Sequence, residues 1–360
     1  MLTESRSIQI RIVLAGLLLS VLPGCGTMYL LQAAHGEVHV LDRRRSIAKI
    51  IKNPHTPPQL RATLEQVREA REFATQVLYL PNNRSYRTYS DIGRPYVVWN
   101  VVATPEFSVV PLHWCFPIAG CVAYRGYFHE VAAEKFAARL KARDDDVIVE
   151  GIPAYSTLGR FADPVMSTML PYGDVELASM IFHELTHQLL YVKDDSSFDE
   201  AFAVTVEHEG VRRWLLYQGR TGDLARYERA NVLDLKYVRL FRVTRAALAR
   251  LYASGLPAPE MRERKRAAFA TLAAQMMELQ RAAKEPSPYE DWLEEGLNNA
   301  ELASVGTYYD CVPGFERLLQ SDEGDLRRFY SDVRVLAHEP KAERDAAVCG
   351  PAVEDQGDGA

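Results

Sequence analysis

The chain has 360 residues, 48% hydrophobic and 25% charged, with 48 acidic against 42 basic side chains and a formal net charge of −6. That balance suits a globular enzyme, and it supplies no broad basic surface for phosphates, so nucleic acid is not expected as a partner. A body of about 335 residues beyond the N-terminal segment is enough for one large domain or two lobes.

At the N-terminus, Arg6 and Arg11 precede an apolar stretch from Ile12 to Leu22. The stretch is too short to cross a bilayer comfortably and fits the core of a signal peptide. It ends in Leu22-Pro23-Gly24-Cys25, which resembles a bacterial lipobox. The resemblance implies that residues 1–24 are a lipoprotein signal peptide and that Cys25 is lipidated as the first mature residue. With Gly26 next, it further implies an anchor in the outer membrane with the body facing the periplasm. Four other cysteines remain: Cys115, Cys121, Cys311 and Cys349. In an oxidising compartment they allow three connectivities. Locality favours Cys115 with Cys121, leaving Cys311 for Cys349, and free buried thiols are the alternative.

Residues 25–80 read as helices broken at Asn53-Pro54-His55-Thr56-Pro57-Pro58, because proline can begin a helix but not sit inside one. The three arginines at 43–45 read as a solvated face, with weak attraction to anionic head groups as the alternative. A sheet is expected over about 95–161. Its strands would be 96–103, 107–110, 120–124 and 147–150, rich in valine and aromatics, with a helix over 129–143 among them. From Asp174 to about residue 192, Leu177, Ala178, Ile181, Leu185 and Leu189 recur at helical spacing.

That helix carries His183-Glu184-Leu185-Thr186-His187. Histidines four apart on a helix project from one face and can reach a single Zn²⁺, while the intervening glutamate is turned toward water at the ion as a general base. Two imidazoles, one carboxylate and an open position suit zinc, though affinity order alone would not exclude cobalt or copper. The next helix begins Phe198-Asp199-Glu200-Ala201-Phe202-Ala203.

Together these segments resemble the gluzincin metallopeptidases, in which H-E-x-x-H is followed by a helix with an N-E-x-F-A type segment whose glutamate completes the site. Here aspartate stands where asparagine is usual. Twelve residues separate His187 from Glu200, fewer than is typical, and Glu207 stands nearer the typical spacing. The matching letters favour Glu200 as third ligand, with Glu207 or Asp199 orienting an imidazole N–H or, for Glu207, serving as the rival ligand. The stretches Trp114 to Phe128, Pro153 to Gly159, and Leu297-Asn298-Asn299-Ala300 leading to Thr307-Tyr308-Tyr309 resemble a bacterial family of predicted zinc aminopeptidases.

That resemblance implies a membrane-anchored zinc peptidase acting on peptides, with an α+β, predominantly helical, zincin-like fold whose small sheet precedes the zinc helices at 174–217. It implies a tyrosine that donates to the oxyanion, for which Tyr308 is favoured over Tyr309. It also implies an edge strand that pairs with substrate. The candidate is Ala154 to Phe161, with Tyr155, Leu158 and Gly159 as its candidate substrate-strand residues. The same letters would serve an endopeptidase. A zinc-binding envelope protein without turnover is a third reading, against which the intact Glu184 speaks. Residues 222–338 read as a helical lobe completing the body that begins at 81, and 339–360 as a loose polar tail.

Overall fold

The computed structural model describes residues 24–116, 120–283 and 287–349. The signal peptide expected over 1–24 lies outside the described residues except for the backbone of Gly24, and so does the side chain of Cys25. The elements in chain order are α1 (Gly24–Asp42), β1 (Arg44–Ser46), α2 (Ile47–Lys52), α3 (Pro58–Gln76), β2 (Thr88–Ser90), β3 (Val98–Thr104), β4 (Trp114–Phe116), β5 (Gly120–Val122) and β6 (Tyr124–Tyr127). Then come α4 (Glu130–Lys141), β7 (Asp146–Ile152), β8 (Val165–Met166), a 3₁₀ turn (Ser167–Tyr172), α5 (Asp174–Leu189), α6 (Ser196–Tyr217), α7 (Thr221–Tyr252) and α8 (Ala258–Ala283). Four shorter helices finish the body: α9 (Glu290–Glu295), α10 (Asn299–Tyr309), α11 (Val312–Ser321) and α12 (Leu326–Ala337), with α13 (Lys341–Val348) after them. The architecture is α+β and predominantly helical, and among the described residues no helix is long and apolar enough to cross a membrane.

The principal sheet has the antiparallel order β6-β3-β7. Every residue of β3 is buried, as a central strand covered on both faces requires. Its alternate residues Trp99, Val101 and Ala103 pack on Phe136, Ala137 and Leu140 of α4, while Val102 meets Ile148 and Ala300 of α10 on the opposite face. The period of two thus builds a layer of helix, sheet and helix. A second small sheet joins β1, β2 and β8, and β4 pairs with β5 as a hairpin closed by Cys115–Cys121.

Two helices run through the interior. In α6 Phe198, Ala201, Phe202, Val204 and Val206 are all buried on successive faces, and Asn299 to Thr307 of α10 are buried throughout. A helix apolar on all sides must be surrounded, and α6 accordingly packs on α5, α7, α10 and α11. It therefore brings its polar residues, Asp199, Glu200 and Glu207, into the protein rather than into solvent.

Two expectations are corrected here. Residues 107–110 are not a strand: the chain turns at Pro105, whose carbonyl accepts the Ser108 N–H at 3.0 Å. The tail is not loose as far as residue 349. Helix α13 docks on the body, where Arg344 donates to Asp195 at 2.7 and 2.9 Å and Lys341 donates to the same carboxylate at 2.8 Å. Cys349 is joined to Cys311. Asp195 stands at the start of α6, so the tail pins the end of the helix that carries Glu200. Closing a loop of this sequence separation, 38, should stabilise the fold by about 4 kcal/mol through the unfolded chain. Cys349→Ser is expected to lower the denaturation midpoint accordingly, and an unchanged midpoint would show that the salt-bridged helix holds without its crosslink.

Candidate active site

Helix α5 has Asp174 and Glu176 in its first turn, where carboxylates favour the helix dipole. Its apolar stripe of Leu177, Ile181, Phe182 and Leu185 is buried in the main core, and that fixes the rotation of the helix. His183 and His187 are thereby held at the edge of the buried face, their side chains 14% and 10% exposed. Their Nε2 atoms lie 3.2 Å apart. Glu200, entering from α6, places one carboxylate oxygen 3.3 Å from Nε2 of His183 and 3.4 Å from Nε2 of His187. Among the described residues these three form a cluster whose donor atoms could hold a metal ion.

Glu207 lies two turns beyond Glu200 and meets the same imidazole from behind. Its Oε2 is 2.8 Å from Nδ1 of His183, and its Oε1 accepts the hydroxyl of Ser179. Ser179 is four residues before His183 on α5 and was not singled out from the sequence. Its signal was only the shared helix face. A carboxylate on Nδ1 keeps the proton there and leaves the Nε2 lone pair free for the cluster. Asp199 does not orient an imidazole: its Oδ1 accepts the backbone N–H of Val192 at 2.7 Å and so ties the loop between α5 and α6 to the first turn of α6.

The charges are arranged to attract a cation. Burial raises Glu200's carboxyl, but His187 and His183 outweigh it and hold the group at about 2. Burial likewise disfavours charge on His183, yet its bonds to Glu200 and Glu207 prevail and raise its affinity for a proton well above the ordinary histidine range. Two carboxylates on one buried imidazole call for positive charge, as proton or as metal ion. Glu184 is pushed up to about 7 by burial, with the neighbouring histidines opposing.

These groups open on a cavity of about 550 Å³ bounded by α1, by β3 and β6 and by the segment after β7, with Glu184, Glu200, both histidines and Tyr308 on its wall. Tyr308 is carried by the last turn of α10. That helix starts with a capping box in which Asn298 accepts the Ala300 N–H at 2.9 Å and Glu301 accepts the Asn298 N–H at 2.8 Å. The Asn298-Asn299 pair thus sets where α10 begins. Glu200's negative charge, reinforced by burial, drives the phenol of Tyr308 well above its usual range, so it keeps its proton as a donor. Tyr309 turns instead toward Asp234.

The expected substrate strand is absent. Leu158 and Gly159 take φ of 56° and 73°, a left-handed pair that no extended strand contains. The reason lies in local competition: Ser156 Oγ accepts the Leu158 N–H at 3.1 Å, Thr157 Oγ1 accepts the Phe161 N–H at 3.1 Å, and Thr157 also donates to Asp163 at 2.6 Å. Side chains that bond to their own backbone favour turns over ladders. Tyr155 and Leu158 nonetheless line the cavity. Behind the turn, Gln188 links α5 to Asp163 at 2.9 Å and to Asn83 at 2.7 Å. Asn83 lies in a loop held by the buried Arg71, which donates to the carbonyls of Pro81 and Ser85 at 2.7 and 2.9 Å.

No curated protein and no solved structure matches the chain. A family model does, over residues 28–348, from the second turn of α1 to the end of the tail helix. The chain belongs to the family described as "Putative aminopeptidase".

Proposed function

We propose that the chain is a zinc metallopeptidase of the zincin type, an aminopeptidase held in a bacterial envelope by lipid on Cys25, with the outer membrane and a periplasm-facing body as its place. The observation that carries the zinc reading is the convergence of two imidazole nitrogens and one carboxylate oxygen. An ion bound tetrahedrally at about 2.0–2.1 Å needs donors about 3.3 Å apart, and the three separations are 3.2, 3.3 and 3.4 Å. His183, His187 and Glu200 would hold the ion, with Glu207 behind His183.

Bound zinc would supply a Lewis acid that polarises the scissile carbonyl and acidifies water beside it. Glu184 takes the proton of the attacking water on its carboxylate and later delivers it to the leaving amine. Its buried setting, which raises the carboxyl toward neutrality, suits a group that must both accept and return a proton. Tyr308 donates its hydroxyl to the oxyanion that develops at the carbonyl. The largely apolar lining of the cavity lowers the local dielectric and strengthens both interactions.

Full-length protein in detergent should contain one zinc per chain and hydrolyse peptides with a free N-terminus but not their N-acetylated counterparts. Cleavage of both would make it an endopeptidase. Stoichiometric zinc without hydrolysis of a broad peptide set would favour an envelope zinc-binding protein.

A further inference from the structure

One wall of the cavity is α1, and that helix is closely fitted. Gly36 presses on the ring of Phe128, where a Cβ would meet ring carbons at 2.0–2.4 Å. Tyr29 stacks on Phe116 with 5.1 Å between centroids and receives the guanidinium of Arg125 at 4.2 Å. Gln32 treats the free edge of β6 as a neighbouring strand would: its Oε1 accepts the Phe128 N–H at 3.2 Å and its Nε2 donates to the Gly126 carbonyl at 3.5 Å. The end of that edge, from Gly126 to Phe128, is therefore taken by the protein's own helix, so an extended peptide cannot pair along its full length. A cleft closed this way admits the end of a chain more readily than its middle.

Among the described residues three carboxylates line the cavity: Glu184, Glu200 and Glu37. The first two have roles in the reading above. Glu37, the residue after Gly36 on α1, accepts the hydroxyl of Tyr155 on Oε2 and pairs with no cation among the described residues. Burial lifts its carboxyl above the usual range, opposed by the Tyr155 bond, with Asp163 adding to the rise and Arg44 countering it. Asp163 itself is committed to Thr157 and Gln188 and does not reach the cavity wall. The cavity that Glu37 lines is mostly apolar, with Leu30, Ala33, Val98, Phe128, Ile152 and Leu158 on it, and its one arginine or lysine among the described residues is Arg160. A carboxylate so placed is stabilised when a cation arrives.

We propose that Glu37, aimed by Tyr155, receives the α-ammonium group of the substrate, and that α1 thereby restricts the site to peptides with a free N-terminus and an apolar first side chain. This inference rests on the metallopeptidase reading of the site.

The test is binding of leucine hydroxamate and of its N-acetyl derivative to the full-length, zinc-loaded protein in detergent, read by calorimetry. Glu184→Gln serves as background so that turnover plays no part. Adding Glu37→Gln should weaken the free-amine compound by roughly 10- to 100-fold, the range for a hydrogen bond between charged groups, and leave the acetylated compound unchanged. Tyr155→Phe should act in the same direction with a smaller effect, and Glu37→Asp should recover part of the loss. Zinc content and melting temperature report whether each variant folds. Equal losses for both compounds, or no loss for the free amine, would overturn the assignment. If the wild-type chain cleaves no peptide while the difference between the compounds persists, the ammonium site stands and the peptidase reading falls.

Discussion

Glu184→Gln should keep the metal and lose the reaction. The side chain is not among the three donors that converge on one point, and glutamine preserves its volume, so zinc content should match the wild type. What disappears is the proton acceptor. General acid–base catalysis by a positioned carboxylate is worth about 10²–10⁴ in rate, and kcat should fall by that factor with little change in KM. Wild-type activity should decline on the acid side as Glu184 takes up a proton, because the carboxylate is the working form. Burial places that titration at about 7, and a bound dication would move it lower. A single-turnover measurement across pH, with zinc quantified on the same samples, checks both parts. Undiminished turnover in the variant would remove Glu184 from the mechanism.

The helices around the site were legible because their apolar stripes are long and regular. The stripe from Leu177 to Leu189 fixes α5, which ends at Leu189, close to the expected boundary. The run from Phe198 to Val206 fixes α6, although helix begins slightly earlier, at Ser196. Because both helices are held in register by buried apolar faces, the histidine pair followed from its spacing, whereas Glu200 was favoured by the letters around it, against a spacing that pointed toward Glu207. The cavity's other wall was not legible in either way. Glu37 and Gln32 stand 137 and 142 residues before α5, which begins at Asp174, in a segment read only as helical. Nothing periodic announces that one glutamate of such a helix will face a site on a distant element. The strand expected over 154–161 failed for a different reason: it rested on the resemblance, while the hydroxyls of Ser156 and Thr157 capture the backbone locally. In the tail, Cys311–Cys349 was anticipated as a tether, but the polar composition concealed that Arg344 and Lys341 would find a common buried partner in Asp195.

The two candidate third ligands are separated by which side of one ring they touch. Spacing along the chain left Glu207 in contention, since it stands closer to the distance usual in gluzincins. In the fold, Glu200 reaches Nε2 of both histidines, at 3.3 and 3.4 Å. Glu207 reaches only Nδ1 of His183, at 2.8 Å, on the far side of the imidazole from the shared point. A carboxylate there cannot also enter the donor cluster without abandoning both the ring and Ser179. Glu207→Ala should therefore weaken zinc binding by the roughly 10- to 100-fold typical of losing a group that orients a ligand, with the metal restored at higher zinc concentration. Glu200→Ala removes a donor and leaves two imidazoles to hold the ion, so its loss should be larger and accompanied by loss of activity at any attainable zinc level. Competition for zinc against a chelator of known affinity measures both variants on one scale. If Glu200→Ala kept near-normal affinity while Glu207→Ala lost the metal, the carboxylates would have to exchange roles. His183 would then need to turn its ring over, a change that spectroscopy of the cobalt-substituted protein would report.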